Sequence, residues 1–267
     1  LDCRKALIEV KKRLSIILPS FNDPRIEAAI DSIRRFDDCD TVRLVVIDGG
    51  SKPEIVELLK GLMRDGDLLV SEPDGGIFDG LNKGLERVES DYVGWLGSDD
   101  LYSNQVKASD VLAALDDHDL YVTGLALFGD DNRVRRITRA WPSGRNLARF
   151  GLHNPHYATF GRRELICSRR FDLGLKGADI AYFLDLFATR PKVLADRRIG
   201  VLQREGGFST RSYGRILAIN SELYRVYARH VGPVVAAGSV ALKLGYKLLG
   251  RLRRILAPLD VKTLARD

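Results

Sequence analysis

The sequence contains few of the residues from which zinc and redox sites are built. Among 267 residues there are four histidines and three cysteines, and Cys3, Cys39 and Cys167 lie far apart. No pair of them has the spacing of a zinc or thiol-redox motif, so neither kind of site is predicted. Sparse cysteines are typical of a reducing compartment, and we therefore expect a cytoplasmic protein.

Two common nucleotide-binding fingerprints are also missing. No G-x-G-x-x-G follows the first predicted strand, which excludes the dinucleotide-binding fingerprint. No G-x-x-x-x-G-K-[ST] occurs either, which excludes a P-loop. Any nucleotide site in this chain must therefore be built in another way.

Long apolar runs are absent. The first residues lack the apolar core of a signal peptide, and only about ten residues around 234–242 are free of charge, against the roughly 20 of a membrane-spanning helix. Residues 211–267 carry 11 basic and 3 acidic side chains, whereas residues 1–210 carry 31 and 33. The near-neutral body does not favour nucleic-acid binding.

The basic segment 211–267 has the pattern of an amphipathic helix. Lys243, Lys247, Arg251 and Arg254 recur at helical spacing among leucines. Such a tail predicts contact with an anionic membrane surface, which would make the protein peripheral on the inner face of the cell membrane. An ordinary solvated helix packed on the domain is the alternative.

Four short apolar runs alternate with helical patterns in the first hundred residues. The runs, interpreted as buried strands, are Leu14–Leu18, Val42–Ile47, Leu68–Val70 and Tyr92–Leu96. The helical patterns between them are Pro24–Phe36, the stretch after the capping-box motif Ser51-Lys52-Pro53-Glu54, and Gly76–Val88. This alternation predicts an α/β fold with a mostly parallel, Rossmann-like sheet flanked by helices.

The pattern changes after Asp100. The predicted elements are a hairpin of Leu120–Phe128 and Val134–Trp141, short strands at His156–Phe160 and Val193–Ala195, and a helix at Ala178–Ala188. Beyond Gly206-Gly207 the sequence is helical in pattern, with breaks at Gly232-Pro233 and Pro258. We expect one continuous α/β domain with a helical C-terminal tail.

Small, acidic or hydroxyl residues follow each of the four predicted strands. The segments are Pro19–Asn22, Asp48–Ser51, Glu72–Gly76 and Gly97–Asp100. Parallel strands bring such segments to one edge of the sheet. Oxygen ligands without imidazole or thiolate suit Mg²⁺ or Mn²⁺, which usually also bind phosphates, so a nucleotide diphosphate site is predicted. Taken singly, Asp48–Ser51 also fits an ordinary turn, and Asp99-Asp100 a helix cap.

Three of these segments together resemble the family 2 glycosyltransferases, which have a GT-A fold. The similar stretches are LSIILPSFN, VVIDGGS and DGGIFDGLNKGLERVESDYVGWLGSDD. The resemblance implies a GT-A domain over 1–210, with a nucleotide-binding half at 1–100 and an acceptor half at 101–210. Residues 211–267 would form the helical tail.

The resemblance also implies roles for individual residues. Asp99, helped by Asp100, would bind Mn²⁺ or Mg²⁺, with Gly97 standing where the family's D-x-D motif has its first acid. The residues implied to contact the donor are Pro19, Phe21, Asp48, Asp74, Gly76, Asp79, Asn82 and Ser98. Asp179 would be the catalytic base.

Alternative interpretations exist for the residues of the second half. Asp179 also fits a first-turn acid favoured by the helix dipole, and Asp185 is a less favoured base. The resemblance places His156 on the acceptor side, where a structural role is the alternative. It places Gly206–Thr210 near the donor diphosphate, where an ordinary loop is the alternative.

The implied function is inverting, metal-dependent transfer of a sugar from a nucleotide diphosphate sugar, expected to be UDP-linked. The acceptor would be a hydroxyl of a glycan or lipid-linked molecule in cell-surface polysaccharide synthesis. One alternative is a nucleotidyltransferase of sugar phosphates, although the Gly-rich basic loop such enzymes need does not follow the first strand. The other is a non-catalytic nucleotide- or glycan-binding protein.

Overall fold

The computed structural model describes residues 13–141, 156–205, 213–253 and 259–260. Side chains within 213–219, 243–244 and 246–260 also lie outside the description. The predicted Gly206–Thr210 motif and the break at Pro258 therefore fall outside the described residues. The same holds for the side chains of Lys243, Lys247, Arg251 and Arg254.

The first half forms the predicted alternation of strands and helices. Its elements are β1 (Leu14–Ser20), α1 (Ile26–Phe36), β2 (Val42–Asp48), α2 (Pro53–Leu62), β3 (Leu68–Ser71), α3 (Ile77–Glu86) and β4 (Tyr92–Trp95). Strand β1 pairs in parallel with both β2 and β4, and β2 pairs in parallel with β3. The central strand β1 is buried along its whole length because helices cover both faces of a parallel sheet.

The second half adds antiparallel strands to the same sheet. Its elements are β5 (Leu101–Tyr102), α4 (Ala108–Asp117), β6 (Leu120–Phe128), β7 (Arg133–Thr138), a 3-10 turn (His156–Ala158), β8 (Thr159–Arg162), α5 (Arg163–Ile166), α6 (Ala178–Ala188), β9 (Val193–Arg204), α7 (Tyr213–Val231), α8 (Pro233–Arg253) and β10 (Leu259–Asp260). The strand order is β10-β7-β6-β8-β4-β1-β2-β3, with β9 beside β6 and β5 beside β9. Because β8 is antiparallel to both β4 and β6, it joins the two halves of a mixed sheet.

The local structure differs from what the sequence predicts at three places. The motif at Ser51 is not a capping box, because Lys52 is the N-cap of α2 and the Ser51 hydroxyl instead donates to Asp48. The helix α4 was not predicted. The strand expected to end at Ala195 continues to Arg204 because it pairs along the length of β6 and then with β5.

The C-terminal helices pack on the domain. Helix α7 buries Leu223, Val226 and Tyr227 against Ile180 and Leu184 of α6. The predicted break between α7 and α8 is confirmed at Gly232, whose φ of 83° is a conformation that glycine adopts readily. In the part of the chain that the structure describes, no helix is long and apolar enough to cross a membrane.

Helix α3 lies unusually close to β1. A methyl group at Gly84 would overlap the side chain of Ile17, which is fully buried in β1. Ile17 has no room to move because buried strands surround it, so the contact between helix and strand requires glycine here.

We predict opposite effects of the same substitution at two helical glycines. Gly84→Ala should lower the free energy of unfolding by about 1–3 kcal/mol because the core is overpacked. Gly61→Ala in α2, where nothing lies within 4 Å of the added methyl group, should raise it by about 0.5–1 kcal/mol. Urea unfolding of both variants measures the difference. Equal effects would contradict the close packing of α3 on β1.

Candidate functional site

The carboxyl ends of the first three strands meet at one edge of the sheet. The register pairs Ser20 with Asp48, and Asp48 with Ser71, so the last residues of β1, β2 and β3 lie side by side. The predicted convergence of the strand ends is therefore confirmed.

Asp48 organises this edge from a fully buried position. Its carboxylate accepts hydrogen bonds from the Ser51 N–H (2.9 Å), the Ser71 hydroxyl (2.7 Å) and the Ser51 hydroxyl. A carboxylate has room for about four such bonds, so most of its capacity serves the two loops. The predicted contact of Asp48 with a nucleoside stays a prediction.

The loop before α3 is built around two acids. The Asp74 carboxylate accepts a hydrogen bond from the Gly76 N–H, and Asp79 accepts one from the Gly75 N–H, both at 2.9 Å. Gly76 has a φ of 115°, which L-residues rarely adopt. The glycines of this turn are expected to let a ligand approach the backbone. In the structure, the Asp74 and Asp79 carboxylates hold the turn by hydrogen bonds to its N–H groups.

Asp74 also fills the space left by two other glycines. A methyl group at Gly49 would lie 2.8 Å from its carboxylate, and one at Gly80 would lie 3.1 Å away. Pro19 of β1 borders the same space, 3.6 Å from the methyl position at Gly80. The structure therefore brings Pro19, Asp74, Gly76 and Asp79 together near the ends of β1 and β2.

Asn82 connects the two halves of the domain. Its amide donates to the Phe171 carbonyl (2.9 Å) and accepts from the Phe171 N–H (2.8 Å). The Phe171 ring stacks on Phe78 and on Tyr182 of α6, with centroid distances of 5.5 and 4.3 Å. Both hydrogen-bonding ends of Asn82 thus hold the backbone that leads to α6.

The other two residues expected to contact the donor follow different strands, Phe21 after β1 and Ser98 after β4. The Phe21 ring is 63% exposed, so its face is open to a planar ligand. The Ser98 hydroxyl donates to Asp23 (3.1 Å), and the Arg25 guanidinium pairs with Asp23 at 2.8 Å. Burial alone would raise the pKa of Asp23, but hydrogen bonds from Arg25 lower it. Sequence reasoning gives Asp23 only a possible helix-capping role and gives Arg25 none, so neither is predicted to belong to the site.

The two predicted metal ligands differ in exposure. Asp99 keeps 28% of its side chain exposed and lies 3.4 Å from the Arg25 guanidinium. Burial raises the pKa of Asp99, and the charge of Asp23 adds to the rise, although Arg25 opposes it. Asp100 is buried and accepts a hydrogen bond from the Arg204 N–H (2.9 Å). Burial and the adjacent Asp99 charge raise the pKa of Asp100 to about 8.

Gly97 makes room for this arrangement. A methyl group at Gly97 would lie 2.7 Å from the Asp100 carboxylate. An acid at this position, as in a full D-x-D, would collide with Asp100 as it is now held. The departure from the motif is therefore coupled to the burial of Asp100.

The oxygen ligands at this site fit a hard divalent cation only in part. Among the described residues, no group of three or more histidine, cysteine, aspartate or glutamate side chains is placed to hold a metal ion. Asp99 offers accessible carboxylate oxygen, which suits Mg²⁺ or Mn²⁺, and Asp100 is largely engaged by backbone. Further oxygen ligands would have to come from a bound phosphate, which is how Mg²⁺ is usually held.

The predicted base lies on another element beside the 3-10 turn. Asp179 is in the first turn of α6, and its Oδ2 is 3.4 Å from Nδ1 of His156. The Trp95 indole, at the end of β4, donates to the His156 carbonyl and so holds the turn against the strand that leads to the acid pair. The structure therefore brings His156 and Asp179 together, whereas Asp185 faces His230 at 3.2 Å.

Tyr157 follows His156 in the 3-10 turn and is buried. Burial raises its pKa well above the ordinary value, and the negative charges of Asp100, Asp179 and Asp99 raise it further. One phenol is thus in electrostatic reach of both ends of the site. Sequence reasoning missed Tyr157, because nothing in a lone tyrosine after a histidine indicates that two distant acids flank it.

The pKa of Asp100 predicts how stability depends on pH. The folded state holds this proton more tightly than the unfolded chain, so the protonated group contributes stability below pH 4 that is lost as pH rises through about 8. In the wild type this loss should be at most on the order of 1.4 kcal/mol per pH unit. It should disappear in Asp100→Asn, whose side-chain carbonyl can still accept the hydrogen bond from the Arg204 N–H.

Unfolding measured from pH 5 to pH 9 tests this expectation. The variant should gain on the wild type as pH rises, whereas Asp65→Asn, at an exposed turn, should run parallel to the wild type. A constant difference between Asp100→Asn and wild type would show that Asp100 ionises freely in the fold.

The sequence matches a known family over more than half of its length. Residues 15–171 fit the family model described as glycosyl transferase family 2. This stretch contains Asp48, Asp99 and Asp100 and ends before Asp179. The match therefore covers the donor side of the site and the 3-10 turn.

Two curated relatives come from mycobacteria. An uncharacterized glycosyltransferase of Mycobacterium tuberculosis (strain CDC 1551 / Oshkosh) is 30% identical over 157 residues, which is 57% of this chain and 60% of that protein. A PGL/p-HBAD biosynthesis glycosyltransferase of Mycobacterium bovis (strain BCG / Pasteur 1173P2) is 29% identical over 157 residues, 57% of this chain and 59% of that protein. The match thus spans about three fifths of these relatives.

Solved structures resemble the whole described fold. S. aureus TarS 1-349 in complex with UDP-GlcNAc has a TM-score of 0.63 at 17% identity, covering 87% of this chain and 71% of that one. The mannosyltransferase PcManGT from Pyrobaculum calidifontis, in complex with GDP-Man and Mn²⁺, has a TM-score of 0.54 at 16% identity, covering 92% and 78%. These likenesses confirm the predicted GT-A type fold. With the family match over residues 15–171, they lead to one conclusion: the chain belongs to glycosyl transferase family 2.

Proposed function

We propose that this protein is a metal-dependent glycosyltransferase that moves a sugar from a nucleotide diphosphate donor to a hydroxyl group with inversion at the anomeric carbon. The observation that carries the proposal is that Asp99 and Asp100 directly follow β4, while Trp95 of the same strand holds the turn whose His156 lies 3.4 Å from Asp179. A leaving group and a base are needed at opposite ends of such a reaction. The family membership and the two relatives named as glycosyltransferases support it.

The donor side of the site suits a nucleotide diphosphate. Phe21 offers an exposed ring at the end of β1, and Arg25 offers a guanidinium beside Asp99. Asp99, with Asp100 behind it, would hold Mn²⁺ or Mg²⁺ together with the diphosphate. When bound, the metal supplies positive charge that stabilises the departing nucleotide. TarS and PcManGT were solved with UDP-GlcNAc and GDP-Man, which supports a nucleotide sugar as donor and leaves the base open.

Asp179 would take the proton of the acceptor hydroxyl as the sugar is transferred. A general base must lie within hydrogen-bond reach of that proton. His156 beside Asp179 orients the carboxylate, and the first turn of α6 stabilises its negative charge. With Asp179 as base on the face of the sugar opposite the leaving group, the transfer would be a direct displacement with inversion.

We further propose a lipid-linked or glycan acceptor approached from a membrane surface. Helix α8 exposes Val234, Val235 and Leu242, of which Val234 is 86% exposed. The segment 211–267 also carries most of the excess positive charge of the chain. Apolar side chains beside basic ones suit the interface of an anionic leaflet. Attachment there would bring a lipid-linked acceptor of cell-surface polysaccharide synthesis to Asp179.

Donor turnover tests the proposed activity. With Mn²⁺ and a panel that includes UDP-GlcNAc and GDP-mannose, the wild type should release nucleotide diphosphate from one donor. Asp179→Asn should lower that rate by about 10²–10⁴-fold, because the base is lost while the shape is kept. Asp185→Asn, on the same helix but paired with His230, is the matched control and should be unchanged.

Two further measurements test the metal assignment and the inversion at the anomeric carbon separately. Asp99→Ala should weaken Mn²⁺-dependent donor binding in calorimetry, and full binding and activity would remove the metal assignment. NMR of the transferred sugar should show an inverted anomeric centre, and retention would overturn the mechanism. Donor binding without any turnover would point to a non-catalytic binding protein.

Membrane association is tested with vesicles. The protein should cosediment with vesicles of phosphatidylglycerol and phosphatidylcholine at low salt, and less with pure phosphatidylcholine, since the tail is basic. The double substitution Val234→Asp, Leu242→Asp should reduce this binding. Leu173→Asp, at another exposed leucine, should leave it unchanged. Equal sedimentation with neutral vesicles, or none with anionic ones, would contradict the proposal.

A further inference from the structure

Helix α7 contacts the surroundings of Asp179 at three successive points. They are a hydrogen bond from the Lys176 N–H to Glu222 (2.8 Å), packing of Tyr227 on Ile180 and Leu184, and an ion pair of His230 with Asp185 (3.2 Å). Successive residues of α7 contact successive residues of the segment 176–185. Helix α7 therefore lies alongside α6, which carries the proposed base. The first of them holds the backbone three residues before Asp179.

The middle contact contains an unusual polar group. Tyr227 is fully buried, and within the described residues its hydroxyl has no hydrogen-bond partner. Buried hydroxyl groups are nearly always paired, because an unpaired one loses its hydration without compensation. A phenylalanine would fill the same space without this loss, so packing alone does not explain the tyrosine.

The packing of α7 brings Tyr227 close to the first turn of α6, which contains Asp179. Tyr227 packs on Ile180, the neighbour of Asp179 in the first turn of α6. Burial and the negative charge of Asp179 raise the pKa of Tyr227 to about 12. The phenol therefore stays protonated at neutral pH and can only act there as a neutral donor toward a carboxylate or a water.

We propose that Tyr227 is a positioning residue for Asp179: its hydroxyl, presented from α7, donates to the Asp179 carboxylate, directly or through one water, when the base is in use. This inference rests on the proposed function, in which Asp179 is the base. It makes α7, the first of the two C-terminal helices, part of the reaction site.

The groups around Asp179 have separate tasks. His156 approaches from the 3-10 turn at 3.4 Å, and Tyr227 comes from α7, where it packs in the same buried cluster as Ile180. A neutral donor holds a carboxylate in one orientation and favours its ionised form.

Tyr227→Phe is the direct test, with Tyr224→Phe on the exposed side of the same helix as the matched control. Using the donor that the wild type hydrolyses with Mn²⁺, kcat of Tyr227→Phe should fall about 10- to 100-fold. The donor KM should stay constant, because the donor side is untouched. The acidic limb of the pH–rate profile should move to higher pH, and the melting temperature should stay equal or rise.

Several outcomes would overturn the proposal. Wild-type kcat and pH profile in Tyr227→Phe would show that the hydroxyl does nothing in the reaction. A lower melting temperature with an unshifted pH profile would show that the residue is merely structural. An equal loss in Tyr224→Phe would show a general effect of altering α7.

A second measurement does not depend on activity. In protein labelled with ¹³C-tyrosine, the Cζ resonance of Tyr227, assigned by its loss in Tyr227→Phe, should shift when Asp179 is replaced by Asn, and that of Tyr224 should not. An unshifted Tyr227 resonance overturns the coupling. A shifted resonance in a protein that hydrolyses no donor would instead leave the coupling standing and overturn the proposed function.

Discussion

The close contact of α3 with β1 is the constraint on which the site depends. Because Gly84 leaves no side chain between helix and strand, α3 lies directly on Ile17, and Gly80 lies beside Asp74 and Pro19. The same helix then presents Asn82 to the backbone of Phe171. A side chain at position 84 would hold α3 farther from the sheet. It would then move both the loop before α3 and the hydrogen bonds of Asn82 with Phe171.

The hydrogen bonds between Asn82 and Phe171 carry that constraint into the second half of the domain. Phe171 stacks on Tyr182, one turn after Asp179 in α6, and also contacts the ring of Trp95. Trp95 in turn holds the carbonyl of His156, which neighbours Asp179. Two routes of rigid contacts, one through Asn82 and one through β4, thus lead from the donor side to the proposed base. Such support suits a reaction that needs the base and the leaving group in fixed relative positions.

Electrostatics and stability oppose each other at the acid pair. Burial disfavours ionisation of both carboxyl groups, and the charge of Asp99 adds to this effect at Asp100. The fold retains the pair although it lowers stability as pH rises. The Arg204 N–H and the Arg25 guanidinium offset part of this cost. A cation bound with a diphosphate would offset the rest, because positive charge favours the ionised form of a nearby acid. The cost borne by the free protein is therefore consistent with a site prepared for a charged ligand.

The local pattern of the sequence determined the parallel strands, the helices between them and the meeting of their polar ends, because apolar periodicity and turn residues act over a few neighbours. The same pattern failed at α4 and at the length of β9, whose boundaries depend on partners far away in the chain. The resemblance predicts that Asp48 and Asn82 belong to the site, but it does not reveal that Asp48 bonds Ser51 and Ser71 and that Asn82 bonds the backbone of Phe171. Only the tertiary structure decided that Asp179, beyond the stretch matched to the family, lies beside His156, and that Tyr227 of α7 packs against the neighbouring turn of α6. The physical reason is that the environment of a buried polar group is set by contacts between distant segments, and a single sequence records none of them.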